Sequence, residues 1–518
     1  MRHLYKKVIA LTLSLALLCG ALAGCTNPDN PDGGKTDPSA AQGGGGQKTT
    51  LTIAAGSEPA TLHPIDQTYM MTAVMCYQMY NTLFKLDEQL NAVPDLVESY
   101  EMPSPTEYVL KLREGVHFHD GSEMTAEDVK ASLEYAATFP KAETFVSTIA
   151  SVEVVDTYSV KITTKDVTSK LLFDLTNPQT SILPKKLIDE GHDFNAQPVG
   201  TGPFKFVSYT QGDRIEFERN DDYFDREHQP GMERIIWRII PEGASRTIAL
   251  ESGDVDMIYN VEPVDIPSLQ ANPDVEVFVG DSVQQSFLHF NLAVAPFDNA
   301  DFRKAIGCAI DRTSLALAGC NGLATNSISQ APTGMFGSTE EGGLDYDLDK
   351  AKEYLEKSGV DASTVTMPIM VSSEANKRQA EVIQSNLKEL GITVEIQTVD
   401  SAAYFAALDA KDYVAYIGSY AQRTLPAYLE FIFGSHSSYA INRAFSDPEV
   451  DAYIEEMNRT QDDAEREKII QDCIMKLNEI YPSVPLLQEQ YVKAYSKGLA
   501  GMNVDLIGST YYHYLYWE

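Results

Sequence analysis

The sequence predicts an α/β protein of more than one folding unit, built on an open sheet with helices on both faces. Three observations carry this. The chain has 518 residues, past the size at which one hydrophobic core keeps growing. From Phe287 onward, short apolar runs alternate with helical periodicity in a β-α-β-α-β order, which demands crossover helices packed on a sheet. Strand-like runs at 484–489 and 494–496 follow the last helices and are placed to return to the first half of the chain.

The first segment lies outside that fold. Arg2, His3, Lys6 and Lys7 form a positive start, Val8 to Leu18 is apolar, and Leu22-Ala23-Gly24-Cys25 closes with small residues. This is the pattern of a secretory signal peptide, too short for a full membrane span. The Leu-Ala-Gly-Cys ending resembles the bacterial lipobox, whose Cys receives a diacylglycerol and becomes the new N-terminus. Cys25 is therefore the expected lipidation site, fatty-acylated (palmitate-type) and anchored in a membrane; the alternative is a plain signal peptide with a coincidental Cys. Residues 26–50, rich in Pro, Asp, Gly and Ser and containing Gly43–Gly46, read as a flexible tether. No later stretch approaches ~18 consecutive apolar residues.

Each element after the tether has its own signal. Leu51–Ala54 alternates as a strand, and 72–84 is helical. Tyr108–Arg113 leads to the turn His119-Asp120-Gly121. Thr125-Ala126-Glu127-Asp128 is a capping pattern before a helix over 129–138. Runs at 152–155 and 159–163 form a hairpin around Asp156-Thr157. Runs at 199–206, 214–219 and 235–240 read as strands. In the second half, 287–292, 366–371, 392–399 and 414–419 are strands. Helices are predicted over 301–310, 350–358, 374–390, 402–410 and, as more than one piece, 447–477.

Charge and cysteine content narrow the function. The formal net charge is −35. Residues 1–24 carry three basic groups and no acid, so without them it becomes −38. Such a balance argues against nucleic acid and against a basic membrane-binding face. Cys76, Cys308, Cys320 and Cys473 remain beyond Cys25, with no C-x-x-C spacing. Cys308 and Cys320 either pair in an oxidising compartment or stay as buried thiols. The chain contains no H-E-x-x-H, G-x-S-x-G, P-loop or dinucleotide fingerprint. His117 and His119 share one strand face, but two ligands do not make a metal site, and the Asp120-Gly121 turn accounts for His119 structurally. No catalytic residue, cofactor or metal site is predicted.

Several segments taken together resemble one family. Pro198-Val199-Gly200-Thr201-Gly202-Pro203-Phe204 is followed by Asn220-Asp221-Asp222-Tyr223-Phe224. Before it come Glu58-Pro59-Ala60-Thr61-Leu62-His63-Pro64 and Val116-His117-Phe118-His119-Asp120-Gly121. After it come Asn291-Leu292, Pro296-Phe297-Asp298, Phe302-Arg303-Lys304-Ala305, Ile310-Asp311-Arg312 and Tyr346-Asp347-Leu348-Asp349. In this order they resemble the bacterial extracellular solute-binding proteins, family 5, of peptide- and nickel-type ABC importers. Each segment also has an architectural reading as a turn, cap or ion pair, so they identify a fold rather than a pocket.

The resemblance implies a periplasmic-binding-protein-like fold of two α/β lobes joined by hinge strands, with an extra subdomain in the first lobe. The implied division is 51–85 with 185–285 and 488–518 as lobe I, 86–184 as the inserted subdomain, and 286–487 as lobe II. It implies a monomer, not an enzyme, held at the outer face of the cytoplasmic membrane. There it captures a solute, oligopeptide or peptide-like, and delivers it to ABC permease and ATPase subunits. Two cleft-facing stretches follow from it, one containing Gln67, Tyr69 and Met70, the other Tyr420-Ala421-Gln422-Arg423. Peptide binders of the family place an Asp in the second stretch, where this chain has none before Pro426; His63 stands where the family has Asp or Asn. Arg423 offers the opposite chemistry, a fork for a carboxylate, with Tyr420, Gln422 and Tyr69 beside it; an ion-paired surface Arg is the competing reading. Other solutes (an oligosaccharide, a metal chelate, an opine-like conjugate) and a sensory receptor on the same scaffold are the alternatives.

Overall fold

The structure, a computed structural model, describes residues 48–518. The signal peptide, Cys25 and nearly all of the tether lie outside the described residues.

Among the described residues one sheet of eleven strands runs through the whole body. Thr50–Ala55 lies parallel to Arg234–Ile239 on one side and to Met257–Ile258 on the other. Leu51, Ile53 and Ala55 enter the larger core while Ala54 enters a smaller one behind it, so both faces of this strand are covered, as parallel strands require. Arg214–Arg219 and Phe204–Thr210 extend the sheet antiparallel at that edge. At the other edge Thr366–Val371 lies parallel to both Thr393–Thr398 and Ala415–Tyr420, the predicted β-α-β-α-β unit. Its helix Glu374–Leu387 buries Gln379, Ala380, Ile383 and Leu387, one stripe at helical spacing, and Ser373 caps it by accepting from the Asn376 amide.

Two long strands join the edges. Val275–Phe290 pairs antiparallel with Ser483–Ser496 along nearly their whole length. The sequence reading found only the end of the first and split the second in two. The pairing slips between Asp281 and Phe287, where polar residues interrupt the apolar alternation. There Ser282 donates to the Glu489 carbonyl at 2.5 Å and Gln488 to the Ser282 carbonyl at 2.5 Å. One core gathers residues from Leu51 to Tyr259 with Tyr495 to Trp517, a second uses Leu288 to Leu487, and a third packs Leu86, Leu90 and Ile507 against Val283, Phe287 and the helical residues Leu425 to Leu477. This is the two-lobed α/β architecture that the resemblance implies.

A separate four-stranded antiparallel sheet is inserted in the first lobe, ordered Val97–Ser104, Glu107–Leu112, Ser159–Thr164, Ile149–Asp156. The helix Ala126–Ala136 packs its Val129, Leu133 and Ala136 face into the same core. Its capping box forms with Asp128, whose carboxylate accepts from the Thr125 amide at 2.8 Å and hydroxyl at 3.0 Å.

The Gly200-Thr201-Gly202-Pro203 turn is a knot between distant segments. The Gly202 amide donates to the Met79 carbonyl at 2.9 Å, and the Gly202 carbonyl receives Asn220 Nδ2 at 3.0 Å. His119 Nε2 sits 3.0 Å from the same carbonyl, and burial pushes its pKa down to about 4, so the ring is neutral and serves the turn. The first helix therefore ends at Met79 rather than running to residue 84 as its periodicity suggested, and Tyr80 is already extended. Pro203 also receives the Asn220 amide at 2.9 Å. Family-marking residues far apart in sequence thus meet at one junction.

Candidate functional site

Three neighbouring cavities share lining residues from both lobes. One of about 550 Å³ lies beside Tyr77, Tyr223, Arg423, Asp505 and His513. A second of about 310 Å³ is walled by Phe145, Phe173, Met335 and Phe336, with Asp174, Gln422, Arg423 and Arg466 as polar points. A third of about 460 Å³ is lined by Tyr259, Gln379, Glu489, Tyr491 and Lys493. Arg423 borders the first two, and Met70, Tyr491 and Ile507 border the second and third. The mixture of apolar walls and a few placed charges is that of a small-molecule site.

Arg423 stands where the first two of these spaces meet. Its stretch follows the strand Ala415–Tyr420 and precedes the helix Leu425–Phe433, which Thr424 caps by accepting from the Ala427 amide. Its guanidinium donates to the Tyr77 hydroxyl and, at 3.5 Å, to the Thr176 carbonyl, both from the other lobe. The ring of Tyr77 lies 5.7 Å from the guanidinium carbon. Burial works against the Arg423 charge, yet contact with Tyr77 outweighs it and raises the pKa.

Asp505 lies on the first cavity. Its carboxylate accepts the amides of Ile507 at 3.0 Å and Ser509 at 2.8 Å, while Oδ2 is buried without a partner among the described residues. Burial raises its pKa, with Arg423 opposing. Lys493 lies 3.6 Å from the Tyr259 ring centroid and donates to the Tyr259 carbonyl at 3.1 Å. Burial lowers its pKa to about 7, against the pull of Asp505. Glu489, which accepts from the Ser419 hydroxyl at 3.1 Å, is raised by burial. Asp174 on the second cavity is raised to about 7 by burial, with Lys170 opposing and Glu430 adding to the rise.

Bonds cross between the lobes on either side of these cavities. Ser169 donates through its hydroxyl to the Met457 carbonyl at 2.9 Å. Gln461 Nε2 reaches the Pro105 carbonyl at 2.8 Å, the Tyr108 hydroxyl at 3.0 Å and the Thr168 carbonyl at 3.2 Å. Asn321 donates to the Pro263 carbonyl at 2.8 Å.

Of the residues named from the sequence, Met70, Gln422 and Arg423 line these cavities. Gln67, Tyr69 and Tyr420 do not. Gln67 is buried, its carbonyl accepting from Gln179 at 3.1 Å. Tyr69 is 46% exposed, its hydroxyl 3.3 Å from that of Ser57. Tyr420 packs edge-on against Tyr439 at 5.0 Å. His63 Nδ1 receives the amides of Ile65 and Asp66, each at 3.2 Å, so the ring serves the turn that follows it. Tyr77, Asp174, Lys493 and Asp505 were not found from the sequence. Asp174 closes an otherwise apolar run, Leu171-Leu172-Phe173, which is the one local signal for a buried acid. Among the described residues the four cysteines are free thiols, and no group of three or more His, Cys, Asp or Glu side chains is placed to hold a metal ion. No described helix is long and apolar enough to cross a membrane.

The model for bacterial extracellular solute-binding proteins, family 5 Middle, matches residues 91–439. The chain belongs to this family. This family 5 solute-binding protein is similar to glutathione-binding protein GsiB of Escherichia coli (strain K12), at 27% identity over 470 residues, covering 87% of this chain and 91% of the relative. It also resembles the ABC transporter substrate binding protein CtaP of Listeria monocytogenes, with TM-score 0.82 and 23% identity, over 91% of this chain and 100% of that one. The periplasmic binding protein DppA of Helicobacter pylori, solved with the peptide STSA, matches with TM-score 0.74 and 22% identity over 91% and 98% of the two chains. The family is one of extracellular solute-binding proteins of ABC importers.

Proposed function

We propose that the chain captures a small peptide or peptide-like solute in the space between its lobes and hands it, unaltered, to an ABC permease. The observation that carries this reading is the meeting of two cavities at Arg423, a half-buried cation whose hydrogen bonds go to neutral oxygens. Such a guanidinium is suited to a carboxylate of the solute. GsiB and DppA, named or solved with glutathione and a peptide, are consistent with this solute class. Gln422 and Met70 complete the proposed contacts.

The lobe division proposed is 51–85 with 185–285 and 488–518 against 286–487, with 86–184 inserted; the distinct cores of Leu51–Tyr259 and of Leu288–Leu487 support it, and a third core packs across the division. The strands Val275–Phe290 and Ser483–Ser496 then act as the hinge, and the slipped pairing near Asp281–Phe287 is where backbone change is absorbed. Cys25 is proposed to carry the lipid that holds the protein, as a monomer, at the outer face of the membrane.

The test is mass spectrometry of solute that co-purifies with the protein, followed by thermal shift with peptides graded by length and charge. A bound solute raises stability by RT ln(1 + [L]/Kd), about 2.7 kcal/mol at a hundredfold excess over Kd. A protein that carries no solute and is stabilised by no peptide ends the proposal. For the anchor, a Cys25→Ala protein is expected in the soluble fraction and without incorporated palmitate.

A further inference from the structure

The second cavity is bordered by Asp174, one of whose carboxylate oxygens finds no hydrogen-bond partner among the described residues. Asp174 is 8% exposed and ends the helix Leu171–Asp174. Its Oδ2 is buried without a hydrogen-bond partner among the described residues. The same residue borders the 310 Å³ cavity, facing Arg423, Gln422 and the phenyl walls of Phe145 and Phe336. Asp505 differs, because two backbone amides hold it and Arg423 and Lys493 act on it electrostatically. Among the described residues the charges that act on Asp174 are Lys170, preceding its own short helix, and Glu430, on the helix Leu425–Phe433; they oppose one another. A buried acid oxygen without a donor is destabilising, and such a cost is expected where a ligand relieves it.

We propose that Asp174 is the cation anchor of the cleft, accepting a primary ammonium of the solute while Arg423 takes its acidic group. The proposal rests on the solute-binding reading above and narrows it to zwitterionic, amino-terminal-free peptides or close analogues. It also supplies a physical answer to the missing Asp between Tyr420 and Pro426: the carboxylate comes from the other lobe, so the solute's two charges are gripped by different lobes. A solute held this way favours closure, because neither anchor alone spans the gap.

The burial-driven rise at Asp174, to about 7, supports the same picture. At pH 6 and without solute the group is largely protonated; an arriving ammonium restores the carboxylate and expels a proton. Binding of a cationic solute near pH 6 is therefore accompanied by proton release, and its affinity climbs to a maximum at about pH 7.5, above which a peptide's own α-ammonium loses its proton.

The experiment uses an equimolar tripeptide library in two forms, free and N-acetylated. Peptides retained by the folded protein after gel filtration are read by mass spectrometry. The wild type is expected to retain the free form at least tenfold over the acetylated one. Asp174→Asn is expected to lose that preference, retaining both forms equally, while its solute-free melting temperature at pH 8 stays level or rises because an unpartnered charge is gone. Isothermal titration of one retained peptide in two buffers of different ionisation enthalpy reads the proton release, expected in the wild type at pH 6 and absent in Asp174→Asn. Asp174→Glu, if the Asn variant fails to fold, should keep a preference for the free form. A wild type that retains free and acetylated peptides alike, or an Asp174→Asn protein that keeps the full preference, overturns the anchor and leaves the cleft reading standing. A wild type that retains neither form overturns the peptide reading, and the anchor with it.

Discussion

The guanidinium of Arg423 crosses from one lobe to the hydroxyl of Tyr77 in the other. Both are lined up on the same 550 Å³ cavity, and Arg423 also borders the neighbouring one of 310 Å³. A charged donor aimed at a phenol and a backbone carbonyl has capacity left for an anion.

Replacing Arg423 by Ala should therefore weaken peptides with a free C-terminal carboxylate about 10- to 100-fold, the worth of one or two charge-assisted hydrogen bonds. Peptides amidated at that end should bind wild type and variant with similar Kd. Isothermal titration of the matched pair checks this. Equal losses for both peptides would show that Arg423 supports the fold rather than reading the carboxylate.

Gly202 is expected to be intolerant for a reason unrelated to binding. A Cβ there would sit 2.4 Å from the Met79 carbonyl carbon and 2.6 Å from the Gln78 carbonyl oxygen, both backbone atoms. Neither can yield without unravelling the end of the helix Met70–Met79. Gly202→Ala should cost about 3 kcal/mol or more, visible as a lower denaturant midpoint in the solute-free protein.

Much of the fold was legible because its signals are local. The capping box at Thr125 and the stripe of Glu374–Leu387 announce themselves within a turn or two of chain. The hinge strands do not. Ser282, Gln285 and Gln488 are buried yet polar, because Ser282 donates to the Glu489 carbonyl, Gln488 to the Ser282 carbonyl and Gln285 to the Ser327 hydroxyl. Read singly, they look like the ends of strands. The helix ending at Met79 was likewise overextended, since what stops it is a turn 120 residues away in the chain. Within the site, Arg423, Gln422 and Met70 followed from the family's cleft-facing stretches. Asp174, Lys493 and Asp505 are brought there only by tertiary folding; no spacing in the sequence links them.

Lys493 makes a pH dependence whose sign is fixed. Its folded pKa, about 7, lies below the usual lysine value because burial opposes the charge. Between about pH 7 and pH 10 the unfolded chain binds a proton that the folded protein does not, so this group's contribution to stability rises with pH over that window. Below about pH 7 both states are protonated and the penalty is constant. Lys493→Met should therefore stabilise the solute-free protein by about 1–3 kcal/mol at pH 6, with the difference shrinking as the pH climbs to 10. Urea denaturation of both proteins across that range is the measurement; a variant less stable at pH 6 would mean that the contacts with Tyr259 outweigh the burial.

Gln461 bears on closure itself. Its single amide nitrogen is shared among the Pro105 carbonyl, the Tyr108 hydroxyl and the Thr168 carbonyl, all on the inserted subdomain, while Gln461 belongs to the helical part of the opposite lobe. On the hinge reading these bonds exist only when the lobes are together. A bond that favours the closed state adds to apparent affinity by that same differential, because solute bound in the closed form inherits it. Removing about 1 kcal/mol of closed-state preference weakens apparent affinity roughly fivefold and does so through faster dissociation. Gln461→Ala should show this for every solute regardless of charge, unlike Arg423→Ala, and should enlarge the solute-free radius of gyration in X-ray scattering. If affinity falls with no change in the scattering profile of either state, Gln461 acts on the fold of the subdomain and the latch is excluded.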